Sequence, residues 1–215
     1  MASYTLNPTS DIHIRSDNPT NNYNTNVSIG IGEPNNNTFV YRALFKFDLS
    51  SIGVGETVTS ATLYLYRATD QSDNARRFNC YRVKRAWTNS GATWNTYDGS
   101  NNWTTAGCGD TTNDREATVL GYRDMSSSEG ADAEFAFPLD ATMVDAWRSG
   151  SFTNNGLIII AETESNDCYL VRSSEYTTDS TKHPKLVIET TTGGGGTTYD
   201  SSANIAATST TPNAD

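Results

Sequence analysis

The sequence predicts an all-β protein: an antiparallel jelly-roll β-sandwich with one short helix and an extended C-terminal arm. Three observations lead there. Apolar residues alternate with polar ones in short runs, as half-buried strands require. Asn, Gly, Ser and Asp bound those runs. Only one segment carries helical spacing, and without helices between most strands the chain cannot form βαβ units. The 215 residues fit one domain, residues 1–192, followed by a Gly-hinged arm or tail, residues 193–215. Thr (31), Ser (22) and Asn (21) make up about a third of the chain, which implies a thin core under a polar, loop-rich surface.

Taken in order, residues 11–15 alternate with Ile12 and Ile14 on one face, which puts His13 on the polar face. A loop dense in Asn (17–26) leads to residues 27–31, where Val27, Ile29 and Ile31 share a face. Residues 39–49 form the longest run, with Tyr41, Ala43, Phe45 and Phe47 opposite Arg42 and Lys46. Residues 57–68 set Ala61, Leu63 and Leu65 against Thr62, Tyr64 and Tyr66. Strands follow at 77–85, 134–139, 156–162, 168–172 and 185–190; the run 156–162 is nearly all apolar, as a strand covered on both faces should be. The one helix is expected at about 141–149, with Asp140 as N-cap and Gly150 as its stop. Residues 89–128 are poor in strand signal. They are expected to be held down by Trp94 and Trp103, with one or two short strands around 115–120.

The formal charge is −10. Phosphate backbones are bound mainly by Lys and Arg, so nucleic acid is not an expected partner. The longest apolar run, Leu157 to Ala161, is too short for a transmembrane helix, so no membrane association is expected. The first thirty residues show no basic start followed by an apolar stretch, so no Sec-type signal peptide is expected. Cys80, Cys108 and Cys168 form no C-x-x-C pair and read either as reduced thiols or as one disulfide with one thiol left over.

Candidate chemistry is sparse. His13 and His183 are the only histidines, no G-x-S-x-G elbow occurs, and no carboxylate pair stands in an aromatic, apolar setting. The chain is therefore expected not to be an enzyme and to need no cofactor. Structural calcium is the exception, at the oxygen-rich loop 70–74, although its spacing lacks the Gly and distal Glu of an EF-type loop. Arg67, Arg76, Arg77, Arg82, Lys84 and Arg85 form a basic cluster in an acidic protein, readable as a solvated sheet face or as a dock for an acidic neighbour. Tyr199 and Ile205 are the sizeable apolar anchors of the arm. Tyr23, Tyr64, Tyr66 and Tyr97 are candidate stacking faces for a sugar ring; Trp87, Trp94, Trp103 and Trp147 read as anchors of core or loop.

Seven motifs occur in a fitting order. Arg42-Ala43-Leu44-Phe45-Lys46-Phe47-Asp48-Leu49-Ser50-Ser51-Ile52 resembles the R-x-L-[LI]-x-F-D-L-S-x-[IL] core of DNRLRE-type domains. Ser60 to Tyr66 stands where those domains have an A-x-L-x-L strand. Tyr81-Arg82-Val83, Ala86-Trp87-Thr88 and Ala92-Thr93-Trp94-Asn95 follow, then Asp98, Trp103 and Gly107. Trp147, Asn155-Gly156-Leu157, Ser173-Ser174-Glu175 and Pro184-Lys185-Leu186 complete the set, with departures at Asn89 and His183. The resemblance spans about residues 8–190 and implies a jelly-roll sandwich without catalytic residues. Such domains occur as bacteriophage structural proteins and as carbohydrate-binding or adhesive modules, so two roles are expected, the first favoured by the lack of a signal peptide, the thiols and the Gly-hinged arm. The first is a virion structural protein, a capsid decoration (cement) protein of a bacteriophage that binds neighbouring capsid subunits at the virion surface as part of a symmetric homo-oligomeric assembly. The alternative is an extracellular carbohydrate-binding or adhesive module that holds surface glycans.

Overall fold

The computed structural model describes residues 1–35, 37–70, 75–126 and 129–192. The strands are β1 (Ala2–Leu6), β2 (Pro8–Arg15), β3 (Ser28–Glu33), β4 (Tyr41–Phe47), β5 (Glu56–Asp70), β6 (Arg76–Arg82), β7 (Gly121–Met125) and β8 (Glu134–Leu139). The helix α1 (Ala141–Ser149) precedes β9 (Leu157–Ala161), β10 (Asp167–Arg172) and β11 (Lys185–Thr192). The helix is where its caps place it. Asp140 accepts from the N–H groups of Thr142 (2.8 Å) and Met143 (3.2 Å), and Gly150 ends it at φ 77°.

All ladders are antiparallel. Eight strands close a ring in the order β5-β10-β3-β4-β9-β6-β7-β8 and back to β5, with β11 and then β1 added beside β5, and β2 beside β4. The expected two-sheet sandwich is thus corrected to a closed β-barrel. The reason lies partly in β5, whose 15 residues pair with β8 along one edge and with β11, then β10, along the other. The arcs β8-β5-β10-β3 and β4-β9-β6-β7 meet at two seams of one residue pair each, Gly32–Tyr41 and Gly121–Leu139. Gly121 is required at its seam, because a Cβ there would stand 2.2 Å from the Pro138 carbonyl oxygen.

Two hydrophobic cores result. The first fills the barrel with the inward residues of both arcs, among them Phe45, Leu63, Phe78, Phe135, Phe137 and Tyr169. The second lies outside it, where Ile12, Ile14, Leu44, Ile158 and Ile160 meet Val83, Trp87, Ala92, Trp103 and Cys108. The long segment between β6 and β7 is therefore a lid rather than an unstructured loop. Its buried indoles donate inward, Trp87 to the Asn155 carbonyl (2.8 Å) and Trp103 to the Thr93 carbonyl (3.0 Å). The buried carboxylate of Asp114 gathers the N–H groups of Thr104 (2.9 Å), Thr105 (3.0 Å) and Asp110 (3.3 Å). Burial opposes its ionisation, but these bonds outweigh burial and hold its pKa below the usual carboxylate range.

Two local expectations are corrected and one strand is added. No strand forms at 115–120 beyond a single Val83–Arg115 bridge; the strand is β7, which starts at Gly121. β1 had no expected counterpart, since its alternation of Ala2, Tyr4 and Leu6 with Ser3 and Thr5 spans only five residues. His13 is buried rather than on a polar face, because β3 crosses beside β2 and the Gly30 N–H donates to its Nδ1 (3.2 Å).

Candidate functional site

Two clefts flank α1. On one side the turn between β4 and β5 folds back, with Asp48 accepting from the N–H of Ser50 (2.9 Å). Arg148 holds that turn to the helix: its Nε donates to Asp145 (2.7 Å) and its guanidinium to the Val54 carbonyl (3.2 Å). Asp145 in turn accepts the N–H of Val58 at 3.0 Å. Between turn and helix lies a cleft of about 500 Å³ lined by Asp48, Ile52, Val54, Trp147, Arg148 and Asn154. On the other side a smaller cavity of about 230 Å³ is lined by Arg82, Glu116, Val119, Leu120, Asp140 and Met143. The Arg82 guanidinium bonds Glu116 (2.5 Å) and lies 4.6 Å over the Phe152 ring. Val54 (97%), Phe152 (44%) and Val119 (40%) expose their side chains around this helix.

The basic cluster is not brought together as one patch. Arg76 and Arg82 sit at opposite ends of the inward-facing row of β6, while Arg77 faces outward. Each has an acidic partner: Arg76 with Asp167, Arg77 with Asp124 (2.7 Å), and Arg82 and Lys84 with Glu116 (2.5 and 3.3 Å). Arg85 pairs with Asp114 at 3.3 Å. Arg67 is buried.

The four candidate stacking tyrosines have company on their rings. Tyr23 lies 4.7 Å from His13, and Tyr97 lies 5.7 Å from Trp103. Lys185 stands 5.2 Å over Tyr64. Tyr66 is buried under Lys182 and Lys185, and its hydroxyl donates to Glu134. Trp87, Trp103 and Trp147 are buried, and Trp94 packs on the second core beneath the Arg42 guanidinium, 5.0 Å away. Tyr199, Ile205 and the arm lie outside the described residues, as do the side chains of the loop proposed for calcium. Among the described residues no group of three His, Cys, Asp or Glu could hold a metal ion.

Two buried groups escaped sequence reasoning. Asp11, under the loop after β10, accepts from the Ser174 N–H (2.8 Å) and hydroxyl, yet burial raises its pKa to about 6. His13, between Tyr23 and Tyr41, is lowered to about 4 by burial and by Arg15. All three thiols are buried and unpaired in disulfides. Burial pushes Cys168 up to about 12, and Cys80 and Cys108 higher still, the opposite of an activated thiolate.

A family model described as the disaggregatase related repeat domain matches residues 11–188, from β2 to β11. The chain belongs to this family. The match covers both cores, α1 and both clefts beside it, so the disaggregatase related repeat domain is the barrel with its lid. The motifs that resemble DNRLRE-type domains lie within nearly the same span, under a different family description. No curated protein matches the chain.

Proposed function

We propose that the chain is a non-enzymatic structural protein that attaches to neighbouring protein subunits of a symmetric particle, as a capsid decoration (cement) protein at a virion surface. The supporting observation is what the described surface leaves open. Arg76, Arg77, Arg82, Lys84 and Arg85 are paired within the chain, and each of the four tyrosine rings has another side chain beside it. Val54, Val119 and Phe152 stay exposed around α1, and exposed apolar groups rimmed by polar ones suit contact with protein. The reduced, buried thiols suit folding in a reducing compartment, as assembly of a particle inside a cell requires. The arm at 193–215, with Tyr199 and Ile205, is proposed as a second contact.

The test is co-sedimentation with particles from the native source. Replacing Val54 and Phe152 together by Asp should abolish attachment while leaving the melting temperature within a few degrees, since neither side chain belongs to a core. Retained attachment of that variant would remove the α1 face from the reading.

One feature favours the carbohydrate-binding alternative. A cleft of about 400 Å³ beside β3 is lined by Tyr41, His13, Thr25, Asn26, Ser28 and Leu170. Its neutral imidazole and hydroxyls suit an uncharged polar ligand, and glycan binding lost on His13→Ala would support that alternative.

A further inference from the structure

The outer edge of β1 carries the next inference. β1 pairs with β11 from Ala2–Thr190 to Leu6–Leu186, and among the described residues nothing pairs with its other edge. Strand edges are ordinarily blunted by charge, proline or a bulge. β7, which leaves its partner β8 after Gly121, carries Arg123 and Asp124. β1 carries no such guard: residues 1–10 hold no charged side chain, its ladder with β11 runs without a register shift, and Pro8 comes only after it ends.

We propose that this edge pairs with the same edge of a second copy of the chain, antiparallel about a two-fold axis at Tyr4. Self-complementarity admits that occupant, and the lack of charge on the edge favours it. An antiparallel edge presents the same alternation of N–H and C=O to its own copy, which is the condition for an isologous contact. Centred on Tyr4, the pairing sets Ala2 opposite Leu6 and Tyr4 opposite Tyr4 on one face. Ser3 stands opposite Thr5 on the other. Tyr4 and Leu6 already pack against the barrel core while remaining partly open, so the contact would continue that core across the axis. Ser3 and Thr5 are exposed, and Ser–Thr and aromatic cross-strand pairs are favourable. Charge points the same way. Two chains of −10 repel over most approaches, and this edge brings them together without facing charges. The inference does not depend on the particle reading, because it is tested on the purified chain alone.

Sedimentation equilibrium of the full chain should show a monomer–dimer equilibrium. Ser3→Lys with Thr5→Lys sets lysine opposite lysine twice and should weaken the dimer by about tenfold or more, at an unchanged melting temperature. Ser3→Cys with Thr5→Cys should crosslink to a dimer on mild oxidation, which either single variant should not do. A monomer at all concentrations, or a dimer indifferent to the lysines, would overturn the proposal. So would self-association that disappears when the chain is cut after Thr192, since the occupant would then be residues 193–215 of a neighbour.

Discussion

Single residues set the pH behaviour. Asp11 titrates near 6 in the fold against 3.8 unfolded, so the folded chain takes up its proton first and stability rises as pH falls between those values. His13 titrates near 4 against 6.5, so the unfolded chain takes up its proton first and stability falls over nearly the same window. Each is worth on the order of 3 kcal/mol, with opposite signs, so the two nearly cancel between pH 7 and pH 4. His13→Gln should remove one side of that balance. Its melting temperature, taken relative to the parent chain, should climb as pH drops from 7 to 4, and an unchanging difference would contradict the assignment. Asp114 is the other decisive residue. Asp114→Ala leaves three backbone N–H groups and Arg85 without their carboxylate, and should cost roughly 3–5 kcal/mol in urea unfolding. None of this was legible beforehand. Asp, His and Asn in a polar sequence read as turn formers or surface residues, and burial is conferred by elements distant along the chain.

At the scale of elements, period-2 alternation located β2 to β6, β8, β10 and β11 to within a few residues, a continuous apolar run located β9, and Asp140 with Gly150 bounded α1. β1 and β7 stayed hidden for a physical reason. Each is only five residues long with one full ladder: β7 offers Tyr122 and Met125 on opposite faces, and the alternation of Ala2, Tyr4 and Leu6 in β1 is too short to stand out, so pairing with a neighbour fixes both as strands. Ring closure was hidden too, because it depends on a glycine at a single residue pair. Gly121→Ala would force the β7–β8 seam apart against the Pro138 carbonyl. Overpacking of this kind should cost about 1–3 kcal/mol, measurable as a lower urea midpoint at an unchanged m-value.

For the whole molecule, the second core matters most. It converts the polar, Trp-anchored segment between β6 and β7 into a lid over β2, β4 and β9, leaving α1 and its clefts at the margin of the packed structure. Function, on the reading proposed, belongs to that margin and to the arm. Truncation after Thr192 should leave the melting temperature unaltered, because both cores lie within residues 12–188, and should weaken attachment to the particle. A large fall in melting temperature on truncation would instead place part of residues 193–215 in the folding unit.

What the sequence by itself determined is the class and content of the fold: antiparallel strands, one capped helix, indoles as anchors and an acidic surface. These follow from periodicity and capping, which act over a few neighbouring residues. Tertiary structure alone decided that the sheet closes into a barrel, that Asp11 and His13 are buried, that the basic cluster is divided among internal partners, and that Val54, Val119 and Phe152 gather around α1. Each of these depends on which distant segments meet, as Gly121 meets Leu139 and Arg82 meets Glu116, and local spacing along the chain carries no record of such meetings.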